Sequence, residues 1–266
     1  TKNTGDDLLE GLPPWCRDLL MALAVVDVAL PPAVLDRLGA ESDPDLLRAL
    51  EKRGIIERSH AGGVQLHEVA RGLLHATVRG DELQRQRARV AAALEPEADL
   101  GLAIERLFLL VASGKLDDAG RLLNRFGADW VLHGFARAVL RASEGGQGAR
   151  FDSWRLQAAA VIGDPALLST LALPEAPTRA DRLAWAKVLF ARGQFREAAE
   201  LARTLALESA TSDTDASHKA VVLAVTALLA AGALAGVRQV LDSVSPHGPD
   251  EEALPLAFVA RTASLA

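Results

Sequence analysis

Three ten-residue stretches constrain what this chain can fold into: GKLDDAGRLL at 114–123, GQFREAAELA at 193–202 and GALAGVRQVL at 232–241. Each opens on glycine, sets an apolar residue two positions on (Leu116, Phe195, Leu234) and a small one five positions on (Ala119, Ala198, Val237). Each also follows an apolar helical run, LAIERLFLLVAS, ADRLAWAKVLFAR and HKAVVLAVTALLAA respectively. Glycine permits the tight turn that ends one helix and starts the next. The apolar residue is expected to seal that turn, and the small residue lets neighbouring helices approach. A single such pair cannot bury its apolar faces, so a recurring one predicts a stack.

The opening glycines lie 39 and 79 residues apart, the longer interval close to twice the shorter. That unit exceeds the roughly 34-residue period of tetratricopeptide repeats, which the 193–202 copy resembles best. GDPALL at 163–168 reads as a fourth, worn turn. EGGQGAR at 144–150, Pro174 to Pro177 and SATSDTDAS at 209–217 read as breaks between units. No strand signal is found beyond about Glu82. With aromatics at 4% and alanine and leucine abundant, the fold class is expected to be mostly α: a tetratricopeptide-like array, or α-solenoid, over 81–266. Stacked pairs leave a concave face suited to a protein or small-molecule effector.

Residues 1–80 have another texture. Pro13 and Pro14, then Pro31 and Pro32, sit where helices can start without a first N–H. Leu19, Leu20, Leu23 and Val26 make one apolar face, and Leu35 and Leu38 another. SDPDLLRALEKRG at 42–54 carries a Ser or Asp N-cap and Gly54 as stop. IIERS (55–59) and VQLHE (64–68) are the two strand candidates, joined by HAGG, whose glycines allow positive φ. EVARGLLHATVR follows as a helix with Val69, Leu73 and Leu74 expected inward. Three helices, a ribbon and a fourth helix make a winged-helix-like domain. Its third helix sets Arg48, Lys52 and Arg53 against Asp43, Asp45 and Glu51, and the ribbon's loop holds no Lys or Arg. Groove readers carry a basic excess, so direct DNA contact is not expected.

The net charge of −6 points the same way. A lone cysteine, Cys16, rules out an internal disulfide and a cysteine-rich zinc site, and is expected to be a buried helix residue. Apolar runs such as Ala220–Ala235 fall short of the roughly 20 residues a membrane span needs, and no signal peptide is evident, so a cytoplasmic location is expected. No GxxxxGK[ST] phosphate loop, activated nucleophile or telling carboxylate pair occurs, so no enzyme activity is expected. His60, His133, His218 and His247 are isolated in sequence. The chain starts at Thr1, holds one methionine, Met21, and stops at RTASLA without a helix stop, as a piece of a longer protein would.

LPPWCRDLLMALAVVD, LLRALEKRGIIERS and VQLHEVARGLL resemble the winged helix that follows the nucleotide-binding core in STAND-class signal-transducing NTPases, particularly MalT-like transcriptional regulators. GRLLNRFGADWVLHGFARAVL and WRLQAAAVIGDPALL resemble the opening of their helical sensor arm. The resemblance implies a non-catalytic regulatory region whose partners are an effector and its own nucleotide-binding domain, with ATP or ADP bound by the intact protein. Related NB-ARC proteins carry Met-His-Asp at the strand-to-helix joint, its His touching the β-phosphate of ADP. The matching residues are Leu66, His67 and Glu68, with Glu for Asp. The residues themselves leave this role open beside a structural one in the first helical turn. A metal role lacks a third ligand beside His67 and His75. Two further readings stand: a stand-alone winged-helix DNA-binding regulator with an oligomerising array, or a protein-interaction scaffold.

Overall fold

A computed structural model describes residues 5–39, 44–77, 79–95, 99–209 and 214–243. The chain packs as two compact units, Thr1–Trp130 and Val131–Ala266, a division that falls within the region assigned above to the array.

The first unit opens with α1 (Gly5–Leu9), α2 (Pro14–Leu23), α3 (Pro32–Arg37) and α4 (Pro44–Lys52). Pro14 and Pro32 take the first helical position after extended Pro13 and Pro31, as the missing N–H allows. Cys16, Leu19, Leu20 and Leu23 form the buried stripe of α2, with Val26 behind it. After α4 the chain turns at Gly54, where Ile55 N–H donates to Leu50 O. β1 (Ile56–Arg58) and β2 (Val64–Leu66) then pair antiparallel, Ile56 opposite Leu66 and Arg58 opposite Val64. Ile56, Val64 and Leu66 point into the core.

Of the two loop glycines only Gly62 has positive φ. Gly63 serves a close approach instead: a Cβ there would stand 3.0 Å from Ser59 Oγ and 3.3 Å from Leu30 O. Leu30 reaches β2 as a one-residue bridge, exchanging both backbone hydrogen bonds with Val64 at 2.9 Å. The sequence gives no alternation around Leu30, so this third edge was not foreseen.

α5 (Glu68–Thr77), α6 (Gly80–Ala93), α7 (Leu100–Ala112) and α8 (Leu116–Leu132) follow. On α5 the inward positions are Ala70 and Leu74, whereas Val69, expected inward, is 67% exposed. The buried stripe of α5 steps by four from Ala70 to Leu74, and Val69 lies about 100° off it. Arginines tie helix ends together here. Arg37 Nε donates to Ala93 O (2.7 Å), Arg106 Nε to Ala91 O (3.1 Å) and Arg89 Nη2 to Leu38 O. Each sets a cation on carbonyls that a helix C-terminus leaves without partners.

The second unit contains α9 (Ala136–Glu144), α10 (Ala149–Ile162), α11 (Pro165–Thr170), α12 (Arg179–Ala191), α13 (Phe195–Ser209), α14 (Thr214–Ala230) and α15 (Leu234–Ser243). Beyond Glu82 the described residues form only helices and their links. Ala186, Ala198, Ala202, Ala224 and Ala227 are fully buried, so helices meet at methyl groups where bulkier chains would hold them apart. The stretch 209–217, expected as a polar break, is narrower: α13 runs to Ser209 and α14 starts at Thr214, and 210–213 lie outside the described residues. The expected N-cap at 42–43, His247 and the side chain of His218 also lie outside them.

The three glycine turns are one motif. Gly114, Gly193 and Gly232 have φ of +74°, +75° and +69°. In each, the glycine N–H donates three residues back (to Val111, Phe190 and Leu229), and the next N–H donates five back, Lys115 to Leu110, Gln194 to Leu189 and Ala233 to Leu228. This is the Schellman pattern. Ala119, Ala198 and Val237 are all buried, as the spacing required. Phe195 meets Phe190 edge-on at 5.3 Å across its turn. Leu234 does not seal its turn and is 69% exposed. There Leu228 fills the space, lying 3.0 Å from where a Cβ on Gly236 would stand.

Candidate functional site

Polar side chains from the ribbon and from α5 meet at the strand-to-helix joint, Leu66–Glu68. Glu57, Gln65 and His67 share the outer face of the ribbon because alternate strand residues point the same way and 57 pairs with 65. Gln65 Nε2 donates to Glu57 Oε2 (2.9 Å), and His67 Nε2 stands 3.7 Å from Glu57 Oε1. The His67 backbone N–H closes the ribbon on Ile55 O (3.0 Å). Its Nδ1 accepts from Val69 N–H (3.4 Å), so the imidazole caps α5. An accepting Nδ1 puts the neutral ring's proton on Nε2, facing Glu57.

One turn into α5, Arg71 reaches back under the joint. Nη1 donates to Asp27 Oδ1 (3.0 Å) and Nη2 to Leu66 O (3.2 Å), while its Nε is buried without a hydrogen-bond partner. Asp27 N–H donates to Glu105 Oε1 (3.2 Å). Burial pushes the Glu105 carboxyl above its ordinary range. The Asp27 N–H opposes that rise, the Asp27 charge adds to it and the Arg71 charge opposes it. Arg71 thus links the start of α5 to the segment after α2 and, through Asp27, to α7.

For ADP, the joint offers one outward donor, His67 Nε2, on a ring 43% exposed. Glu57 already faces that donor, Glu68 brings a second carboxylate to the first turn, and the two terminal nitrogens of Arg71 are engaged. A phosphate could therefore meet His67 only if the ring left Glu57, with the remaining donors coming from outside these residues. His75 is exposed on the same helix. Among the described residues no group of three or more His, Cys, Asp or Glu is placed to hold a metal. Cys16 is fully buried, and burial pushes its thiol pKa up.

α4 and the ribbon carry balanced charge. Arg48 pairs with Asp45 (2.8 Å) and Arg58 with Glu51 (3.3 Å). A cleft of about 310 Å³ lies between the ribbon's loop and the start of α7, lined by Ala29, Ser59, Gly63 and Leu102 among others. Asp99 accepts from Leu102 N–H (2.9 Å) there, so a carboxylate already occupies that helix N-terminus. No helix among the described residues is long and apolar enough to cross a membrane.

No protein-family model matches the chain, and no curated protein does. Among solved structures, a Signal Transduction ATPase with Numerous Domains (STAND) protein with a tetratricopeptide repeat sensor, from Pyrococcus horikoshii, is similar at 13% identity with a TM-score of 0.48. The similarity covers 98% of this chain and 49% of that one, so the chain spans about half the length of that protein. Likeness at this level does not establish a shared fold.

The sequence singled out His67 but not its neighbours. Glu57 was within reach of a register argument, since pairing Ile56 with Leu66 sets Glu57 beside the face that His67 shares. Asp27 and Glu105 lie 44 and 34 residues from Arg71, with no pattern to connect them.

Proposed function

We propose that this chain is the regulatory part of a signal-responsive ATPase or transcriptional regulator: a winged-helix-like relay followed by a tetratricopeptide-like helical array that senses an effector or partner. The observation that supports it best is the same Schellman turn at Gly114, Gly193 and Gly232, each joining a pair of helices. The order of α2, α3 and α4, then a ribbon bridged by Leu30 and then α5, with the short α1 ahead of them, supports the winged-helix assignment. In this reading the array binds its effector better in one state than the other, which is what shifts a resting state held by ADP. His67 would then leave Glu57 to meet the β-phosphate, with the nucleotide core supplying the other donors.

The test uses the protein encoded by the whole gene. A phosphate loop ahead of this region, with ADP retention that falls in His67→Ala, supports the reading. A reading frame without such a loop overturns it. The same helix–ribbon order favours one alternative, direct DNA binding, which the ion pairs of Arg48 and Arg58 oppose. A salt-dependent shift of one specific duplex would establish that alternative.

A further inference from the structure

The second unit holds a cleft of about 620 Å³, within the range of small-molecule sites, between the end of α9, the start of α10 and the segment after α11. Leu167, Leu171, Leu173 and Pro174 give it an apolar wall. Leu173 is 37% exposed. The wall is held from behind, since Arg192 donates to Leu168 O (3.1 Å) and Leu171 O (2.8 Å) and stacks on Trp185.

The charges in the cleft can be followed one by one. Its cation, Arg155, is spent internally: Nη1 pairs with Asp152 (2.9 Å) and Nη2 donates to Ser143 O (2.8 Å) and Gly146 O (3.4 Å). That also consumes the Asp152 charge. Glu144 and Glu175 remain, both exposed at the cleft, on different segments, and with no ion pair among the described residues. An anion would meet two carboxylates and no available cation. A neutral apolar ligand would use the leucine wall and leave both carboxylates without a partner. Two negative charges lining one cleft with a leucine wall suit two cationic ends on an aliphatic stem, with methylenes against leucine and each ammonium toward a carboxylate.

We propose that this cleft, framed by Glu144, Glu175 and the Leu167–Leu171–Leu173 wall, binds a small aliphatic diamine as the effector of the sensor domain. The inference deepens the sensor reading and rests on it for its biological meaning, but binding is measured separately. The full chain is titrated calorimetrically with putrescine, and with n-butylamine, butanediol and magnesium chloride as controls. One saturable site is expected, at least tenfold weaker for n-butylamine and absent for butanediol. Glu144→Gln and Glu175→Gln should each weaken putrescine binding about tenfold, and Leu173→Ser several-fold, with circular dichroism unchanged. Non-saturable heat, equal binding of magnesium, or binding indifferent to all three variants overturns the inference. Saturable binding that leaves the intact protein's nucleotide turnover unchanged would count against the sensor reading while the site itself stands.

Discussion

Asp181 is the side chain whose loss the second unit should feel most. It is 1% exposed, at the third position of α12. Oδ2 accepts from Thr178 N–H (2.8 Å) and Thr178 Oγ–H (2.7 Å), closing a capping box. Oδ1 accepts from Ser153 Oγ–H (2.5 Å) and Gln157 Nε2 (2.9 Å) on α10, so one carboxylate joins two helices. Burial alone would raise its pKa; the bonds from Ser153, Thr178 and Gln157 outweigh that and hold it below the ordinary value. In Asp181→Ala the carboxylate half of the capping box, which accepts from Thr178, is lost at about 1 kcal/mol, while Thr178 Oγ can still accept from the residue-181 N–H. Ser153 and Gln157 each lose an acceptor, at about 1 kcal/mol apiece, although Gln157 keeps its 3.1 Å bond to Ser153 Oγ. The expected cost is about 3 kcal/mol, a roughly hundredfold loss of protection in amide exchange across α12. Asp181→Asn keeps two acceptor lone pairs and should lose about half as much.

The pH dependence has a fixed sign. The folded pKa lies below the unfolded one of about 3.9, so the stabilisation is complete above that value. It is lost as pH falls through the depressed folded pKa. The wild-type protein should therefore lose α12 protection in acid more steeply than Asp181→Asn. A loss under about tenfold for Asp181→Ala, or identical acid profiles for wild type and Asp181→Asn, would refute the assignment of this carboxylate as the charged bridge between α10 and α12.

Arg192→Met keeps the apolar stem but gives up the bonds to Leu168 O and Leu171 O and the contact with Trp185. The expected cost is about 2 kcal/mol, read as faster exchange in α11, and Arg192→Lys should recover less than half because an ammonium cannot fork. Glu105 has a raised folded pKa, so its charged form weakens the fold: Glu105→Gln should stabilise the first unit at neutral pH. That gain should fade as pH falls through the folded pKa and be absent below the unfolded one, in urea melts of the two proteins compared across pH.

The helix pairs and ribbon were legible because their signals are local. A Schellman turn needs glycine at one position and apolar residues within five, and a ribbon needs alternation around a tight loop. Leu30 was missed because a one-residue bridge has no period. Val69 was misplaced because three apolar residues at 69, 73 and 74 suggest a stripe that Ala70 and Leu74 in fact define. The cleft could not be read at all: Glu144, Arg155 and Glu175 become neighbours only when α9, α10 and the link after α11 pack together, and which carboxylate Arg155 neutralises is settled by that packing.

The joint at His67 carries one consequence of ring chemistry. A hydroxyl or carboxylate that caps a helix keeps its remaining polar atoms close to the capped N–H. Imidazole differs, since its two nitrogens diverge. Nδ1 serves Val69 N–H while Nε2–H points outward to Glu57. The structural role and a ligand-facing role therefore do not compete for the same atom; the second competes only with Glu57, across 3.7 Å and in solvent, where such a pair is worth about 1 kcal/mol or less. A phosphate bearing more charge than a carboxylate could displace it without uncapping α5. Under the proposed function, His67 would hold the ribbon to α5 through Nδ1 while it exchanges the outer partner of Nε2.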